Sequence, residues 1–188
     1  MPPLLASVAL SPIGCHGLPT ARDARTIPRV PPDAAKPHTL PLTPSDEARV
    51  LAGIDRFIEL VRDVAKIQPA DGDDTPELAD KLVAWWRERP EKDPARPSQD
   101  ELAWVVGCAT GDLLYHVLEV RWRKLPGRVG DPERFCLFGE HGQEWIMLTP
   151  IDDVAERIRS GESDPASGYL DDLYEDEHVR GFIAEGEE

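Results

Sequence analysis

A chain of 188 residues with 40% hydrophobic content is long enough for one core of ordinary size and too short for two full domains. Its net charge of −15 argues against the basic patch that a phosphate backbone requires, so nucleic acid is not an expected partner. Three widely spaced cysteines, Cys15, Cys108 and Cys136, form no CxxC pair, so neither a disulfide framework nor a zinc ribbon is suggested and a reducing, cytoplasmic setting fits best.

The charge is unevenly spread. Residues 1–44 hold Arg22, Arg25, Arg29 and Lys36 against Asp23 and Asp33, a balance of +2 that leaves −17 for the rest. Ten of the 19 prolines fall in the same stretch, so the core must lie further on, and residues 1–42 read as a disordered arm. Each Pro there removes a backbone donor and restricts the residue before it. The start "MPPLLASVALSPIGC" has no Lys or Arg ahead of its apolar run and is broken by Pro2, Pro3 and Pro12, unlike a cleaved signal. Its "PIGC" resembles the cleavage box of a bacterial lipoprotein; the competing reading is a disordered or mis-assigned start. His16 and His38 lie in the arm without partners at metal-ligand spacing.

A first helix is expected from Thr43 as N-cap, with Pro44 at its first position and Asp46 and Glu47 near the positive end of the dipole. Val50, Ile54, Phe57, Ile58, Val61, Val64 and Ala65 form its core face. The three aspartates around Gly72 lack the spacing and closing Glu of an EF-hand and read as a turn. A second helix follows from Thr75 as cap, with Leu78, Leu82, Trp85 and Trp86 in neighbouring positions. Adjacent residues lie about 100° apart on a helix, so one Trp is expected in the core and the other on its flank. "RPEKDPARP" is a linker, and "SQDE", Ser98 to Glu101, is a capping box for a third helix.

That third helix contains the stretch "GCATGDLLYHVLE". Leu102, Ala103, Val106, Ala109, Leu113, Leu114, Val117 and Leu118 share one broad side, with Thr110 the polar intruder. Glu101, Cys108, Asp112, His116 and Glu119 share the other. Asp112 and His116, one turn apart, are the residues that could hold a metal or share a proton, but they supply two of the three or more ligands a metal needs. Gly107 and Gly111 allow another backbone to approach closely. Length, Asp112 and His116 argue against a membrane span.

The period then changes to two. "VRWRKL" sets Val120, Trp122 and Lys124 against Arg121, Arg123 and Leu125 as one strand, and strands near 133–138 and 143–148 form a hairpin. A closing helix starts at Thr149 and Pro150, buries Ile151, Val154, Ala155 and Ile158, and stops at Gly161. Residues 162–188 are an acidic tail with ten acidic residues and one basic, Arg180; its "YLDDLY" and "VRGFI" read either as a short docked helix or as a solvated end that orders on a partner. The expected architecture is α+β: N-terminal helices packed on a small three-stranded antiparallel sheet with a closing helix, one domain over 43–161.

Residues 101–161 resemble a domain of unknown function found in uncharacterised bacterial proteins. The shared features are a "G-x-x-x-G-D/E" helix core at Gly107 to Asp112, a Trp-bearing strand at Trp122, a hairpin, and a "P-x-x-x-V-x-x-R-I" helix start at Pro150 to Ile158. The resemblance covers about a third of the chain and carries an expected fold but no activity, cofactor or catalytic residue.

The functional expectation is a protein-binding or accessory module, immunity-protein-like toward a basic partner such as a toxin or nuclease domain. No catalytic, cofactor-binding or metal-ligating residue is assigned and no cofactor is expected. The alternative is a metal-dependent or hydrolytic enzyme using Asp112 and His116, with Cys108 nearby. Oligomeric state is left open by the sequence.

Overall fold

The computed structural model describes residues 36–70, 74–127, 133–141 and 144–186. Cys15, His16, the "PIGC" box, the expected Gly72 turn and most of the Pro-rich arm lie outside the described residues.

Among the described residues, six helices and a four-stranded antiparallel sheet make an α+β architecture. The order is β1 (Leu40–Pro41), α1 (Pro44–Glu59, prolonged by a π-helical turn Leu60–Val64), α2 (Thr75–Glu88), α3 (Gln99–Val117), β2 (Arg121–Leu125), β3 (Arg134–His141), β4 (Glu144–Leu148), α4 (Pro150–Ser160), α5 (Pro165–Glu175) and α6 (Glu177–Gly186). The sheet runs β1-β2-β3-β4 and so has four strands, not the three expected. The fourth is short: Leu40 pairs with Lys124 and Pro41 with Arg123. A proline, which has no N–H to give, is compatible with such an edge strand.

The start of α1 is as read. Thr43 Oγ1 accepts from Asp46 N–H at 3.2 Å, and Asp46 Oδ2 accepts from Thr43 N–H at 3.0 Å, a complete capping box. Lys124 adds a tertiary anchor, donating to Asp46 Oδ1 at 3.3 Å. These hydrogen bonds hold the Asp46 carboxyl below its ordinary pKa of 3.8. The helix stops at Lys66, whose φ of 55° turns the chain while Ile67 N–H bonds back to Val61 O at 2.9 Å.

Several boundaries differ. The N-cap of α2 is Asp74, which forms its box with Glu77, so Thr75 is already helical. Ser98 caps α3, but Glu101 does not complete the box; its carboxylate accepts from Arg56 Nε of α1 at 3.0 Å. Thr149 precedes α4, yet its hydroxyl donates to Asp153 at 2.8 Å instead of capping the backbone. Gly161 ends α4 at φ 85° as expected. On α1, Ile58 is exposed and Leu60 buried, because the inner stripe runs through Val50, Gly53, Phe57, Leu60 and Val61 at helical spacing and Ile58 falls beside it. Trp85 and Trp86 are both half-buried, covered by the guanidinium groups of Arg89 and Arg96 respectively.

The largest departure is α3. From Leu102 to Gly111 every residue except Trp104 is buried, since α1, α2, α4 and α5 all pack against this helix. Cys108, expected on the wet side, is fully buried, and Val117, expected in the core, is exposed. The central turns thus have no polar face, and the polar side opens only at Asp112.

The glycine pair behaves as read. A Cβ on Gly107 would lie 2.5 Å from Ile151 Cα, and one on Gly111 would lie 2.3 Å from Trp122 Cζ2, so α4 and the indole both approach the α3 backbone. The tail is two docked helices. Tyr169, Leu170, Leu173, Val179 and Phe182 join the same core as Phe57, Leu82 and Val106. Among the described residues, no helix is long and apolar enough to cross a membrane.

Candidate functional site

Two features emerge at the surface. The first is a cleft of about 660 Å³ between α1, the last turns of α3 and the start of β2. Its inner wall is apolar: Val50 and Ile54 stand one turn apart on α1, beside Leu42 and the Trp122 ring. Leu51 and Tyr115, 60% and 42% exposed, belong to the same lining. The strand side is open because β1 is so short: it pairs Arg123 and Lys124 and leaves Arg121 and Trp122 without a partner on that edge.

Asp112 and His116 both line this cleft, their geometry set by helical spacing, with His116 Nε2 3.8 Å from Asp112 Oδ1. Tyr115 packs edge-on against the imidazole at 5.0 Å between centroids. Among the described residues no group of three or more His, Cys, Asp or Glu side chains is disposed to hold a metal ion. Cys108 does not reach the pair. Its thiol is enclosed at the crossing of α1 and α3, where a Cβ on Gly53 would lie 2.8 Å from its sulfur. Burial pushes its pKa up to about 12, with Asp112 adding and Arg49 opposing. A thiol so far from ionising is not a nucleophile at neutral pH.

Arg121 and Arg123 complete the polar lining. Arg123 Nε donates to Thr39 Oγ1 at 3.2 Å, tying β2 to the chain entering β1. Arg121, exposed at the start of β2, pairs with Phe138 of β3 through its backbone, and its side chain has no hydrogen-bond or ion-pair partner among the described residues. Sequence reasoning passed over both arginines, as it did Glu47 and Tyr115, because strand alternation says which side chains share a face but not what another element brings to that face.

The second feature is the outer side of α5 and α6. Asp80 of α2 fixes the start of α5, accepting from the N–H groups of Ala166 at 2.8 Å and Ser167 at 3.1 Å. Arg157 of α4 pairs with Asp172, and His178 Nε2 donates to Trp145 O at 2.8 Å to hold α6 to the sheet. With one side of α5 clamped in the core, Asp171, Tyr174 and Glu175 face outward, followed by exposed Glu177. None of these three carboxylates has an ion-pair partner among the described residues.

No protein-family model matches the chain, and neither a curated protein nor a solved structure matches it. None of these comparisons supports the resemblance read for residues 101–161, and function has to be argued from the two features above.

Proposed function

We propose that this protein is a binding module that docks a basic partner on the outer side of α5 and α6, in the manner of an immunity protein neutralising a cationic toxin or nuclease domain. The observation that carries the reading is the row Asp171, Tyr174, Glu175 and Glu177: unpaired carboxylates beside a 40% exposed Tyr, on helices whose other side is in the core. A rigid acidic surface with an aromatic anchor steers a cationic partner and loses little conformational freedom on contact. The net charge of −15 extends the same field over the molecule.

The test is capture from the source cell's lysate by the full chain, compared with a D171N/E175Q/E177Q variant, with Tyr174→Ser, and with a control neutralising Glu88 and Glu91. The reading expects a basic protein that is held at low salt, released at high salt, lost by the first two variants and kept by the control. Equal capture by all four chains, or none by the native one, overturns it.

The Asp112–His116 pair supports a second reading, a metal-dependent or hydrolytic enzyme, because both residues line a cleft large enough for a substrate. Equilibrium dialysis against Zn²⁺ and Mn²⁺ tests its metal-dependent form: stoichiometric binding lost in Asp112→Ala supports it, and no binding removes it.

A further inference from the structure

The cleft has a composition suited to one class of small ligand, independently of the protein-binding surface on α5 and α6. We propose that it binds a small monocarboxylate with an apolar body, the carboxylate on Arg121 and the body against Val50, Ile54 and Trp122. Its volume of about 660 Å³ falls within the range of small-molecule sites, roughly 300–1,000 Å³. The apolar wall is presented by α1 and β2, with the Trp122 ring lying against Gly111 of α3.

The charge arrangement selects the anion. Ion pairs engage some of the arginines, Arg49, Arg56, Arg134 and Arg157 each holding a carboxylate, and leave others, such as Arg159 and Arg180, with none among the described residues. Arg121 holds none among the described residues, although it lines a cleft that also contains Glu47 and Asp112. A guanidinium offers a planar fork that matches a carboxylate in a bidentate pair, and an adjoining apolar wall excludes water from one side of it. Arg123, bonded to Thr39, adds positive potential without competing for the same anion. A ligand with two carboxylates would set its second charge against Glu47 or Asp112, so a single anionic group fits best.

The test titrates the full chain by calorimetry with 3-phenylpropionate and octanoate and with their uncharged amides. The carboxylates are expected to bind and the amides to bind roughly tenfold or more weakly, the loss typical of a charge-assisted bond. Arg121→Gln, an exposed substitution that spares the core, is expected to bring the carboxylates to the level of the amides. Ile54→Trp, filling the apolar wall, is expected to abolish binding of all four, and Arg159→Gln on α4 to leave it unchanged. Equal binding of amides and carboxylates, undiminished binding by Arg121→Gln, or no binding by the native chain at millimolar probe overturns the proposal.

Discussion

The indole of Trp122 occupies the space that a side chain on Gly111 would need, with Cζ2 2.3 Å from the position of a Cβ there. One turn earlier, Gly107 stands in the same relation to the backbone of Ile151. An added methyl raises helix propensity by about 1 kcal/mol but overpacks the contact by about 1–3 kcal/mol. Gly111→Ala is therefore expected to lower stability modestly and Gly107→Ala more, because an indole can shift and a helix backbone cannot. Urea unfolding of both variants checks the order, and a stabilised Gly107→Ala would mean that α4 does not pack on α3 as described.

Asp80 is a carboxylate in α2 doing the work of an N-cap for α5, and Asp80→Ala should destabilise the fold by about 1–2 kcal/mol. Burial raises its pKa above the ordinary 3.8, outweighing the two backbone N–H bonds that lower it. A folded carboxyl with a raised pKa keeps its proton longer than the unfolded chain does, so its contribution to stability declines as pH rises through that interval. Asp80→Asn lacks this titration. Its stability relative to the native chain should improve as pH goes from about 4 to about 7. A difference that stays flat, or moves in the other direction, contradicts the burial of Asp80.

Asp46 has the opposite sign. Its pKa is lowered by the N–H and hydroxyl of Thr43 and by Lys124, so the stability it contributes is present above 3.8 and disappears as pH falls through the lowered value. Removing the cap hydroxyl in Thr43→Val should shift the Asp46 carboxyl resonance toward an ordinary titration in an NMR pH series. An unchanged midpoint would mean that the Thr43 hydroxyl does not contribute to it and that the backbone N–H and Lys124 set it.

The two described cysteines are both buried, with thiol pKa values pushed by burial to about 12 at Cys108 and about 11 at Cys136. In a Cys15→Ser background, a thiol reagent at pH 8 should label neither at an appreciable rate until urea is added. Rapid native labelling of Cys108 would mean that the α1–α3 crossing at Gly53 opens.

Cutting the chain at Gly161 should abolish cooperative folding rather than leave a smaller domain. It removes Tyr169, Leu170, Leu173, Val179 and Phe182 from the core, and each large apolar side chain contributes about 1.5–3 kcal/mol. Their sum is comparable with a typical total stability of about 5–15 kcal/mol. A truncated chain with an intact melting transition would show that α5 and α6 are dispensable.

Local signals carried their own weight in the sequence. The Thr43–Pro44–Asp46 start, the Gly161 stop, the change from helical to strand period after Val117 and the close-approach glycines of α3 depend on contacts within a few residues or on the size of one side chain, so the order of residues determines them. The α+β class follows from that succession. What needed the tertiary structure was every question of what covers what. Periodicity assigns a helix one wet side, and it fails for α3 because four other helices surround its first three turns; Cys108 is buried for that reason alone. It also could not foresee that Leu40 and Pro41 pair with β2, since two residues of edge strand have no period, or that Asp80 lies beside Ala166, 86 positions away. The acidic tail read equally well as solvated or docked, and the core's need to bury Tyr169 and Phe182 decided it. Asp112 and His116 were legible as neighbours from their spacing, whereas the cleft they share with Arg121 exists only because three separate elements meet there.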